Sequence, residues 1–182
     1  MLHKKGFTLI ELIIVIALIA LLATTVILVI NPVKIFQEAR DSQRIADLGQ
    51  MNSAMSLMLA TSSAQPTLGP SSANCYVNKA GQVCTTRYVS AATSTVTASQ
   101  VVTGSGWVPV NLGTSPAISA WPIDPKNDTT NFYSYAYDNS NTWEFTAKLE
   151  SARYSSGGAD DIEGTDGGNK PALYEVGTNV SL

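Results

Sequence analysis

Histidine is nearly missing from this 182-residue chain: the single one, His3, stands among the first six residues. So placed, it stands apart from the bulk of the chain, no cysteine has a base partner in sequence, and no nucleophile or metal motif is present. The chain is therefore expected not to be an enzyme. Cysteine is scarce too, limited to Cys75 and Cys84. Two thiols without histidine make a poor metal site, and a single disulfide in an oxidising exterior is the economical reading. Charged residues make up only 14% of the chain, and no basic run with interleaved aromatics occurs, so no nucleic-acid partner is expected.

Apolar residues account for 45%, and they crowd into Phe7–Ile30, a run of 24 residues with one charge, while the rest is rich in Ser, Thr, Asn and Gly. A helix of that length spans roughly 36 Å, against the ~30 Å hydrocarbon core of a bilayer. His3, Lys4 and Lys5 precede it and place the N-terminus in the cytoplasm with the bulk of the chain exported. An ordinary secretory signal would end its apolar region after about 7–15 residues. On hydropathy alone a plain signal anchor is an equal alternative. Formal charge is −3, and −5 if a leader carrying Lys4 and Lys5 is removed.

Glu11 lies five residues into the apolar run. A carboxylate there costs on the order of 2.5–3.5 kcal/mol at a helix centre on insertion scales, and less near the end. Either it sits at headgroup depth, or it requires a partner.

The string Lys4-Lys5-Gly6-Phe7-Thr8-Leu9-Ile10-Glu11-Leu12 resembles the processing site of type IV prepilins and pseudopilins, over the first 30 or so residues. The resemblance implies that a prepilin peptidase cuts between Gly6 and Phe7, that the new Phe7 amine is methylated, and that Glu11 meets the N-terminal amine of a neighbouring subunit in a filament. The chemistry of these positions agrees: Gly6 offers no side chain to obstruct an extended approach to a protease, and cleavage creates a cation at Phe7 that can partly neutralise Glu11 in a low-dielectric core.

Asn31-Pro32 interrupts the apolar run, and a mid-helix proline predicts a bend over Leu28 to Pro32. Beyond it, Val33, Phe36, Leu48, Met51, Ala54, Met55 and Met58 share one helical face, and Thr61-Ser62-Ser63 sets the helix end near residue 60. Arg40 and Arg44 project on the same side, with Asp41 and Asp47 at i, i+3 reach. They form either a solvated patch or charge pairs between packed subunits.

From Thr61 to about Pro116 the Ser/Thr-rich sequence predicts a loosely structured connection, with short strands or a brief helix near Thr95 to Val102 and clusters open to O-glycosylation. Cys75 and Cys84 bracket a stretch whose Lys79-Ala80-Gly81 turn predicts a hairpin that joins the thiols. The prolines of Trp107-Val108-Pro109-Val110 and Trp121-Pro122-Ile123-Asp124-Pro125 exclude a central strand and predict an extended loop across the sheet edge. Phe132–Tyr137 and Thr142–Leu149 alternate around Asp138-Asn139-Ser140-Asn141 and predict a hairpin that covers the Met-rich face of the helix. Its aromatics are core or cross-strand pairs rather than a sugar-binding platform. Asp160, Asp161, Glu163 and Asp166 share a glycine-rich loop that could wrap calcium, as C-terminal loops of major pseudopilins of type II secretion do, although the spacing is not that of an EF-hand. Leu173 to Val176 predicts a last short strand.

The expected fold is α+β, a long N-terminal helix whose first half spans the membrane, packed against a small antiparallel sheet. Residues 1–6 are the leader, 7–30 the membrane and assembly half of the helix, 31–60 its amphipathic half, and 61–182 a β-rich head. The expected function is that of a pilin or pseudopilin that polymerises with itself, with prepilin peptidase and a pilus or secretion assembly platform as further partners. Before assembly it would cross the cytoplasmic membrane with its head on the exported side, and afterwards form a cell-surface or periplasmic filament. Apart from calcium no cofactor is expected. The alternative is an uncleaved, membrane-anchored binding module such as an adhesin.

Overall fold

The computed structural model describes residues 6–62 and 65–182, with the helix over 27–30 described by its backbone alone. His3, Lys4 and Lys5 lie outside the described residues. Two compact units divide between Gln37 and Glu38.

In the first unit, helix α1 runs Leu9–Ile30. Its start is written in Thr8 and Glu11, which form a capping box: the Thr8 hydroxyl accepts the Glu11 N–H while the Glu11 carboxylate accepts the Thr8 N–H. It ends at Asn31, which adopts the left-handed conformation (φ 43°), one that asparagine tolerates better than branched residues do. Helix α2, Pro32–Thr61, then begins. Pro32 therefore does not bend a helix from within, as its position in the run suggests. It occupies the first position of a new one, where its missing N–H leaves no bond unmade, and it biases Asn31 away from helical geometry.

In the second unit, α2 packs on a five-stranded sheet of order β2-β1-β3-β4-β5, with β1 Asn74–Val77, β2 Thr93–Val96, β3 Ser134–Tyr137, β4 Trp143–Ala147 and β5 Tyr174–Gly177. The architecture is α+β and the sheet mostly antiparallel; the exception is β1, which pairs in parallel with β2. The aromatic hairpin is β3–β4, in the register Tyr135 opposite Phe145 and Tyr137 opposite Trp143. β5 is the predicted last strand, paired to β4.

Helix and sheet meet through Leu48, Met51, Ala54, Met55 and Met58 on one side and Tyr76, Tyr135, Tyr137, Trp143, Phe145 and Ala147 on the other. Each fully buried Leu or Met contributes roughly 1.5–3 kcal/mol. Directional bonds fix the register: Trp143 Nε1 donates to Asn52 Oδ1 at 3.0 Å, and the Tyr133 hydroxyl donates to Asp47 at 2.8 Å. Val33 and Phe36, expected on the same buried face, are exposed. Tyr135 and Phe145 form a tilted pair with centroids 5.1 Å apart, and the hairpin aromatics are buried, which makes them core rather than a sugar platform. Trp107, Val108, Val110 and Trp121 join this core. The proline-bearing loops are thus irregular, as predicted, but they fill the interior instead of crossing an exposed edge.

The other face of the sheet is also covered. Ser134 and Thr146 share a hydrogen bond at 2.6 Å beneath Tyr88, and Cys75, Val77, Cys84, Ala91, Phe132, Ala136 and Leu182 make a second apolar cluster. Arg87 lies flat over the Phe132 ring at 3.6 Å and donates to the Phe132 and Thr130 carbonyls. Burial pulls its guanidinium down to about 10. Burial, with Glu175 beside it, pushes the Glu144 carboxyl up to about 9.

Cys75 and Cys84 are joined by a disulfide, Cα to Cα 6.0 Å, but not within a hairpin. Both edges of β1 are taken, by β2 and by β3, so the segment after Gly81 has no strand to pair with. Gln82 instead accepts the Lys79 N–H and donates to Asn127 and to the Asp128 carbonyl. No helix forms near 95–102, where β2 and an isolated bridge between Thr103 and Asn111 stand instead.

Candidate assembly site

The N-terminal residues with chemical character are set out along one exposed rod. Gly6 is exposed, a Cβ placed there would meet nothing within 4 Å among the described residues, and Phe7 is 88% exposed. From Leu9 to Val26 the helix is long and apolar enough to cross a membrane, and none of that stretch is buried within the chain. Its hydroxyls are satisfied internally: Thr24 donates to the Leu21 carbonyl and Thr25 to the Leu22 carbonyl, each at 2.8 Å. Glu11 is the one charge. Its carboxylate accepts the Thr8 N–H and hydroxyl, both at 2.8 Å, and no cation of the described residues pairs with it. Two neutral donors cap the helix, and among the described residues no cation compensates the charge.

A second group of charges lies where α2 enters the head, and here both sequence readings need correction. Arg40, Asp41 and Arg44 are neither a solvated patch nor a set left for another subunit. Arg44 is 0% exposed. It donates to Asp124 through Nε at 2.6 Å and Nη2 at 2.9 Å, to Asp41 through Nη1 at 2.7 Å, and its Nη2 lies 2.7 Å from Glu150. Arg40 closes on Glu150 with two bonds of 2.9 and 2.7 Å. Burial alone would lower the Arg44 guanidinium, but its bonds to Asp124, Asp41 and Glu150 hold it well above its ordinary value. Arg40 and Arg44 in turn hold the Glu150 carboxyl down, at about 2. Asp47, grouped with them by spacing, turns to Tyr133 instead.

The acidic loop keeps its carboxylates apart. Asp160 pairs with Arg153, Asp161 accepts the Gly157 and Gly164 N–H groups, Glu163 accepts those of Leu149 and Ser156, and Asp166 those of Gly168 and Glu175. Among the described residues no three such side chains converge as metal ligands would.

Asp124 and Glu150 were not legible as partners of Arg44, because they stand far along the chain and no periodicity connects them. Arg87 and Tyr88, which cover the second face, carried no signal beyond an unexplained basic-aromatic pair in a polar stretch.

Comparison with curated proteins and with solved structures gave no match. Helix α1 fits a membrane-anchored precursor, and the methylation motif marks structural rather than catalytic proteins. Residues 1–27 match the family described as the prokaryotic N-terminal methylation motif, so this chain carries the prepilin-type signal that is the hallmark of type IV pilins and pseudopilins.

Proposed function

We propose that the chain is the precursor of a filament subunit of the type IV pilin or pseudopilin kind. Prepilin peptidase cuts it between Gly6 and Phe7, the Phe7 amine is methylated, and α1 keeps the subunit in the cytoplasmic membrane with the head on the exported side until it polymerises. The observation that carries this reading is the match over residues 1–27, which spans an exposed Gly6-Phe7 junction and an apolar helix that no described residue covers. Glu11, which meets no cation of the described residues, supports it, because the amine released by cleavage supplies a charge of the opposite sign near the same end of the rod, on a neighbouring copy. Assembly then buries apolar surface that the isolated subunit must keep in lipid.

The test is N-terminal analysis of the chain in membranes and in filaments sheared from cells. The proposal expects material beginning at methylated Phe7 in both fractions, and accumulation of the uncut chain in membranes when the peptidase is deleted. An uncut chain in cells that possess the peptidase, with none in sheared filaments, would favour a membrane-anchored binding module instead.

A further inference from the structure

Within α2 the head is gripped in two unlike ways. From Leu48 to Met58 the buried side chains are Leu48, Met51, Ala54, Met55 and Met58, all apolar; ahead of Leu48 they are Asp41 and Arg44, both charged. The part of the helix nearest the unit boundary at Gln37/Glu38 is thus held to the head by ion pairs and hydrogen bonds, with no fully buried apolar side chain. Apolar packing is non-directional and would tolerate sliding, whereas an arginine closed on three carboxylates tolerates almost none. The closure also gathers two distant loops. Asp124 belongs to the loop after Trp121 and accepts the Lys126 and Asn127 N–H groups, while Asp41 accepts the N–H groups of Glu150 and Ser151 at 2.7–3.1 Å. Arg40, Arg44 and Lys126 balance Asp41, Asp124 and Glu150, and the rim is partly wet, with Lys126 40% exposed.

We infer that the cluster centred on Arg44 is a latch: a separable cooperative unit that fixes the register of residues 38–47 on the head and can open while the core from Leu48 onwards stays folded. It rests on the proposed function for its purpose, since in a filament α2 is the covalent link through which any pull on a subunit passes from its anchored helix to its head. A latch that opens before the core gives that link a first point of yield that spares the head.

Hydrogen exchange of the full-length chain in detergent micelles tests it. Arg44→Met should raise exchange of amides 40–47 at least about tenfold while amides 50–58 and those of β3 and β4 stay within about twofold of the native chain. Glu150→Gln, which weakens the rim and leaves Arg44 with Asp41 and Asp124, should show the same confined pattern at roughly threefold. Unchanged exchange at 40–47 in both variants, or equal acceleration throughout the head in Glu150→Gln, would overturn the latch. Should Arg44→Met lose protection everywhere, it has failed to fold and Glu150→Gln decides. Sheared filaments of Glu150→Gln should be shorter than native ones at equal subunit incorporation, and native length would refute the latch as a point of yield. Absence of filaments from the native chain would instead defeat the functional reading, with the exchange pattern still deciding whether the cluster opens separately.

Discussion

Glu11 and Arg44 are each a charge set in a helix, and their surroundings differ in kind. Arg44 is wholly buried and meets three carboxylates of its own chain, whereas Glu11 is exposed and meets one threonine. A charge that finds all its partners at home specifies how the head folds. A charge on an apolar rod with only neutral donors among the described residues still has room for a cation. The same contrast separates the apolar side chains: the methionines of α2 are spent on the sheet, while none of the stretch Leu9–Val26 is buried among the described residues.

Removing the home partner should hurt folding most. Arg44→Met strands Asp41, Asp124 and Glu150 and should weaken the hold on residues 38–47 by about 3–5 kcal/mol, read as faster exchange of their amides with the core from Leu48 onwards still protected. A loss below about 1 kcal/mol would mean that the cluster is solvated in solution and that the contrast with Glu11 is false. The disulfide comes next. It ties β1 to the layer that carries Arg87 and Tyr88, and replacing Cys75 and Cys84 with alanine should cost roughly 2–3 kcal/mol for so short a loop.

Acid sharpens the comparison. Glu150 is held at about 2 in the folded chain, below the ordinary 4.5, so its contribution is present above pH 4.5 and is lost as pH falls toward 2. The hold on residues 38–47 should weaken by on the order of 1 kcal/mol over that window after allowance for screening, and Glu150→Gln should flatten that part of the profile. A native profile no steeper than the variant's would show that Arg40 and Arg44 do not hold this carboxylate.

Much of this was legible because it is local. The run Phe7–Ile30, the methionine spacing of α2 and the alternation of β3 and β4 are periodic patterns, and each marks an element with one dominant environment. What escaped depends on partners far along the chain. Asp124 lies 80 residues from Arg44 and Glu150 110 from Arg40, so nothing near any of them announces the cluster. The sequence predicts β2, Thr-Ser-Thr-Val, only as one of two alternatives, short strands or a brief helix near Thr95 to Val102, because it has neither alternation nor an apolar run and is defined by its pairing to β1. The prolines beside Trp107 and Trp121 rightly excluded strands but said nothing of depth, and both indoles are core. At the N-terminus the balance reverses: the motif matched over residues 1–27 is contiguous and needs no distant partner to be legible.

Smaller effects probe the charges with modest local support. Thr8→Val removes the cap and one of the two donors to Glu11, and should loosen the first turn of α1 by ~1 kcal/mol, seen as faster exchange of its opening amides in micelles. Smallest of all, calcium chelation should leave the melting temperature of the head unchanged within about 1 °C, because Asp160, Asp161, Glu163 and Asp166 already have donors within the chain. A rise of several degrees on adding calcium would show that the loop can exchange those donors for a cation, and would move these carboxylates to the side of Glu11.

The direct test of the outward-looking charge is the filament yield of Glu11→Gln, which keeps the shape and the hydrogen bonding of the side chain and removes only its charge. The account predicts normal insertion and cleavage after Gly6 but at least about tenfold less filament, the effect of ~1.4 kcal/mol lost per subunit contact. Filaments in native amount from Glu11→Gln would contradict it.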